Sequence, residues 1–94
     1  GGVTTALAAF SDEVGALQRS GVRDADSAKV LDDIVRDIRQ GVREDDPVKV
    51  AAETDKLVEE YDKLVDSGAI TTEAALRLDP LLADLTDAVD AYAA

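Results

Sequence analysis

Shifted by 47 residues, this chain lies over itself without a gap. Residues 16–42, ALQRSGVRDADSAKVLDDIVRDIRQGV, align with residues 63–89, KLVDSGAITTEAALRLDPLLADLTDAV. Leu17 falls on Leu64, Ser20-Gly21 on Ser67-Gly68, Leu31-Asp32 on Leu78-Asp79, Asp37 on Asp84 and Val42 on Val89. Where identity fails, apolar character is kept: Phe10 meets Leu57, Val14 meets Tyr61, Ile34 meets Leu81, Val35 meets Leu82 and Ile38 meets Leu85. A repeat of this length is a supersecondary unit that cannot bury its apolar face alone. Two such units facing each other predict an all-α, four-helix bundle made of two tandem helical hairpins, at about 3–43 and 48–93.

The periodicity inside each unit supports helices. Val3, Leu7, Phe10, Val14 and Leu17 are spaced by three and four, which predicts a helix from about Thr4 to Ser20, closed by Gly21. A second helix from about Asp26 to Arg43 turns Leu31, Ile34, Val35, Ile38 and Val42 inward, with Asp24 or Asp26 as its cap. Asp46-Pro47 opens a third, because Asp accepts from free amides and Pro at the first helical position has no donor to waste. That helix runs to Ser67 with Val50, Thr54, Leu57, Val58, Tyr61, Leu64 and Val65 inward, and Gly68 ends it. The fourth starts near Thr71 or Thr72 and buries Leu78, Leu81, Leu82, Leu85, Val89 and Tyr92. Pro80 falls inside it and removes the hydrogen bond to the carbonyl of Leu76, so the last helix is expected to be kinked there or broken in two.

With 94 residues the chain has room for one domain, 1–94, and one modest core. Gly1-Gly2 and the absence of Met read as a piece excised from a larger protein. The net charge of −11 opposes contact with phosphate backbones and anionic headgroups, so no nucleic acid and no membrane insertion are expected. The charge is uneven. Residues 51–94 hold 11 acids against 3 bases, and Asp79, Asp84, Asp87 and Asp90 meet no basic residue after Arg77.

Catalytic chemistry has little to stand on. The chain has neither His nor Cys, which removes the commonest general base, zinc ligands and nucleophile pairs. The adjacent acids Asp32-Asp33, Glu44-Asp45-Asp46 and Glu59-Glu60 fall in turns or on outer faces, away from the burial that raises a catalytic carboxyl. The stretch from Asp24 begins like a calcium loop, yet Ala28, Lys29 and Val35 stand where a ligand, the Gly and the closing Glu are needed. No enzyme, metal site or cofactor is expected. One rival reading keeps a cofactor: Asp26-Ser27 resembles the attachment motif of the acyl carrier proteins, in which a Ser opening the second helix bears phosphopantetheine. Ala28 replaces the Leu of that motif, the preceding loop is short, and a repeat has no place in that fold.

The hairpins as a whole resemble the FIMAH-type helical modules of bacterial secreted enzymes and the helical tails of some bacterial Ser/Thr kinases. The residues that carry the resemblance are Ser20-Gly21, the apolar Leu31, Ile34, Val35 and Ile38, the Asp45-Asp46-Pro47 break, and the stretch from Ser67 to Ala75. The resemblance implies a non-catalytic accessory, protein-interaction or spacer module of a larger bacterial protein, outside the cytoplasm at the cell surface. A monomer or weak homo-oligomer is expected. The surface nominated for a basic protein partner is an acidic face of the second hairpin, formed by Asp84, Asp87 and Asp90 with Glu60 and Asp62.

Overall fold

A computed structural model describes residues 2–17 and 25–93, and side chains among these except that of Ala25. Four helices follow one another: α1 (Gly2–Leu17), α2 (Ala25–Arg43), α3 (Pro47–Asp66) and α4 (Thr72–Ala93). The expected bundle is present. Ser20, Gly21 and Asp24, nominated as an end and a cap, lie outside the described residues.

The turns show why the helices stop where they do. Asp46 caps α3, its carboxylate accepting from the Lys49 amide at 3.1 Å, with Pro47 at the first position. Asp45 carries the left-handed backbone between α2 and α3, φ 53°. Its N–H donates to the Val42 carbonyl, and the Asp46 N–H donates to that of Gly41, which satisfies the open end of α2. Gly68, φ 81°, turns the chain out of α3, and the Ile70 N–H donates back to the Leu64 carbonyl. Thr71 then caps α4, accepting from the Ala74 N–H at 3.2 Å.

Each helix packs against both of its neighbours around the bundle, but not equally. The extensive interfaces are α1 on α4 and α2 on α3; α3 meets α4 less, and α1 meets α2 least. Gly2 lines grooves with Ala88 while Glu13 reaches Arg77 at 3.8 Å, so α1 and α4 run antiparallel. The two hairpins are therefore splayed and joined mainly to each other.

The core is aliphatic, with Phe10 and Tyr61 at its centre in an edge-on pair, ring centroids 6.3 Å apart. Leu31 and Leu78, Val35 and Leu82, Ile38 and Leu85 are buried at both of their aligned positions. Ile34 and Leu81 differ: Ile34 is buried, whereas Leu81 is only partly covered and lines an open groove beside α1. Tyr92, Leu64, Val58 and Val65 are likewise partly buried. Ile70, read from sequence as turn, is a core residue at 1% exposure.

Of the two outcomes expected at Pro80, a kink or a break, the break does not occur: α4 runs through it from Thr72 to Ala93. The reason is position. Pro80 and Leu76 are both on the solvent side of α4, so the carbonyl that loses its amide partner is one that water can satisfy.

Two glycines provide a test of this packing. A Cβ on Gly41 would stand 2.9 Å from the Cγ2 of buried Val50 and 3.4 Å from its backbone N, at the α2–α3 interface. Gly41→Ala should cost about 1–3 kcal/mol, the range for forcing extra volume into a packed contact. Gly15 in α1 has nothing within 4 Å of its Cβ position. Gly15→Ala should stabilise by about 0.5–1 kcal/mol through helix propensity. Opposite signs in urea melts check the pair, and equal effects would mean that α2 and α3 do not approach as described.

Candidate functional site

The molecule is most unusual on the outside of α1. Phe10 points to the core, and at about 100° per residue Asp12 lies near the opposite pole. Thr5, Ala8, Gly15 and Ala16 share that outer side, and Asp12 and Glu13 are the helix's two ionisable residues. Every other helix carries at least six, so α1 presents a nearly neutral strip on a heavily charged molecule.

Two open, mainly apolar grooves adjoin the strip. The first, about 380 Å³, lies between α1 and α4 and is lined by Gly2, Thr5, Ala6, Ala9, Leu81, Asp84 and Ala88. The second, about 470 Å³, lies at the lower end of α1 against Val42, Ala88, Ala91 and Tyr92. The two share Gly2 and Ala88, whose small size leaves the space open. Asp84 is the single ionisable group other than Tyr92 in either lining. It is exposed at the rim of the groove, where it is placed for charge pairing.

The five nominated acids do not share one direction. Asp84 borders the α1 groove. Asp87 and Asp90 are each displaced by about a further 60° round α4, so Asp87 points outward and Asp90 toward the α3 side, where Asp79 also lies. On α3, Glu60 and Asp62 are about 200° apart. Glu60 is half-buried and paired with Lys63 at 3.6 Å, while Asp62 is exposed near Tyr61. Of the five, the structure thus sets only Asp84 beside α1, leaves Asp87 next to it on the outer side, and sends Glu60 to the other flank of α3.

The hydrogen bonds of the two tyrosines, one part-buried and one exposed, are structural ties. The Tyr61 hydroxyl donates to Asp79 Oδ1 at 2.6 Å and lies 3.4 Å from the Ala75 carbonyl, pinning α4 one residue before Pro80. Burial, then the bond to the Asp79 carboxylate, pushes the phenol well above its usual range. Tyr92 donates to Asp45 Oδ1 at 3.0 Å and ties the end of α4 to the α2–α3 turn. Burial and the neighbouring Asp33 raise the Asp32 carboxyl. Thr54, buried, donates to the Val50 carbonyl of its own helix. Neither tyrosine tie was legible in sequence, since the partners are 18 and 47 residues apart.

The Tyr61 tie has a signed consequence. A phenol whose pKa is raised by folding contributes stability that is complete below the unfolded value, about 10, and is lost as pH rises above it. Thermal melts should therefore show a steeper alkaline loss for wild type than for Tyr61→Phe. At neutral pH the Phe variant should be weaker by about 1 kcal/mol for the lost hydrogen bond. Parallel alkaline curves would show that the hydroxyl is not held as described.

Ser27, the alternative attachment residue, is 5% exposed in the first turn of α2, so a transferase would have to open that turn to reach its hydroxyl. Among the described residues no cluster of three or more acidic side chains is arranged to hold a metal ion, and no helix is long and apolar enough to cross a membrane. No protein-family model, curated protein or solved structure matches the chain.

Proposed function

We propose that this domain is a non-catalytic protein-interaction module of a larger protein, and that it makes contact through the outer side of α1 and its two flanks. The observation that carries the reading is the pair of open apolar grooves bordering a helix with only two charged residues, on a chain that is one-third charged overall. A strip of small residues with Asp12 as the one charge near its centre, bordered by apolar grooves and rimmed by charge, has the composition of a contact surface. Asp84 belongs to that rim and Asp87 lies next to it on the outer side; Asp90, Glu60 and Asp62 lie farther away.

The test is to place a bulky charge in the strip. Ala9→Arg and Thr5→Arg should leave helix content unchanged, because both residues are exposed, and should abolish association measured by the domain's own sedimentation and by capture from its host's lysate. Association and capture that are indifferent to both substitutions would overturn the placement. The carrier reading is tested separately by mass after incubation with coenzyme A and a phosphopantetheinyl transferase. No gain at Ser27 is expected, and an added phosphopantetheine would replace the interaction reading.

A further inference from the structure

The two flanks of α1 carry opposite charge. On α2, Gly41 faces α3, since its Cβ direction meets Lys49 and Val50. Arg39 lies about 200° round the helix from Gly41, on the flank beside α1, and Arg36, Arg43 and Lys29 fall within about 80° of Arg39. On α4 the flank beside α1 carries Asp84, with Asp87 next to it on the outer side. Arg39, Arg43, Asp84 and Asp87 form no ion pair within 4 Å among the described residues, whereas Arg36 and Arg77 are already paired, with Asp33 and Glu13. Asp32 lies on the same flank of α2 and feels the charge of Arg39 and Arg36, so that flank is net basic and not free of acid. Val42 shares the lower groove with Ala88 and Ala91, so Arg39 stands within about one turn of the height of both Asp84 and Asp87, and Arg43 within about one turn of Asp87.

We propose that the outer face of α1 binds a second copy of this chain, with α1 parallel to α1 and Arg39 and Arg43 of each copy set against Asp84 and Asp87 of the other. This rests on the interaction-module reading and names the partner. Two copies can meet face to face about a twofold axis in only two simple ways. An axis across the helices would lay basic flank on basic flank and acidic on acidic. An axis along the helices brings each α2 flank onto the α4 flank of the other copy, so both rims become complementary at once. The small residues of α1 let the helix backbones approach. One feature opposes the pair: the axis sets Asp12 opposite its own copy near the outer pole. The side available measures at most 34 by 21 Å, so two copies bury no more than about 1,400 Å² in total, a small interface that forms at high concentration only.

The experiment is sedimentation equilibrium of the whole domain from about 10 μM to 1 mM, with helix content followed by circular dichroism. Wild type should shift toward twice its mass of 9.9 kDa over this range. Asp84→Lys with Asp87→Lys lowers the net charge from −11 to −7, which by general repulsion alone would favour association, yet it should weaken the pair at least tenfold. Arg39→Glu with Arg43→Glu should do the same. Combining all four restores both the net charge of −11 and the complementary rims, and the dimer should return. Asp12→Ala should tighten it several-fold. A chain that stays monomeric to 1 mM with and without Asp12→Ala would overturn the proposal. So would a dimer that tightens in Asp84→Lys with Asp87→Lys, or a fourfold variant that does not recover. If self-association fails in this way while Ala9→Arg still abolishes capture of another protein, the partner is wrong and the interaction face stands. If Ala9→Arg changes nothing, the face itself is wrong.

Discussion

Cut between Arg43 and Pro47, the two hairpins should lose their structure when separated and regain it when mixed. Residues 2–43 alone should show little helix by circular dichroism and no cooperative melt. Residues 47–93 alone should retain somewhat more, because α3 and α4 share the Tyr61 tie to Asp79 and Ala75. The cause is the distribution of contact. α1 buries its stripe chiefly on α4, and α2 on α3, so each fragment leaves both of its main apolar faces in water. Helices of 16 to 22 residues with exposed stripes are marginal on their own. An equimolar mixture at tens of micromolar should recover helix content and a single transition. A sharp, concentration-independent melt of either fragment alone would mean that the hairpin, and not the crossed pair of hairpins, is the folding unit.

Phe10→Ala should be the most damaging single truncation, at about 3–5 kcal/mol. Phe10 is fully buried, and it meets Tyr61 edge-on, linking α1 directly to α3 across the middle of the bundle. A domain of this length has about 5–14 kcal/mol in all, so the loss is at least about a fifth of its stability. Urea denaturation measures it, and a cost below about 1.5 kcal/mol would show that the core repacks around the site. Leu81→Ala offers an internal comparison. The repeat pairs Leu81 with buried Ile34, but Leu81 is only partly covered, so its truncation should cost less than that of Leu85, which is fully buried.

Much of the architecture was legible in the residues themselves. A spacing of three and four marks an inward stripe without reference to any neighbour, and so Val3 through Leu17, Leu31 through Ile38, and Leu78 through Val89 were recognisable as helix faces. Local hydrogen bonding made Asp46-Pro47 and Gly68 readable too, because a cap is satisfied within a few residues of itself. Three things were not readable. Periodicity says which side of a helix is dry but not which helix dries it, so the dominance of α1 on α4 over α1 on α2 appears only in the assembled bundle. Ile70 has no periodic partners in its turn, and its burial follows from where the turn sits over the core. Of the acids nominated on the second hairpin, Asp62, Asp84, Asp87 and Asp90 are exposed and Glu60 is half-buried, and their directions differ, because 60° steps along α4 and the neighbours on either side decide whether a carboxylate borders α1, solvent or α3. The sequence thus determined the helices and their buried faces through interactions a few residues long. The tertiary structure decided the pairing of helices and the make-up of the exposed surface, since both depend on residues tens of positions apart.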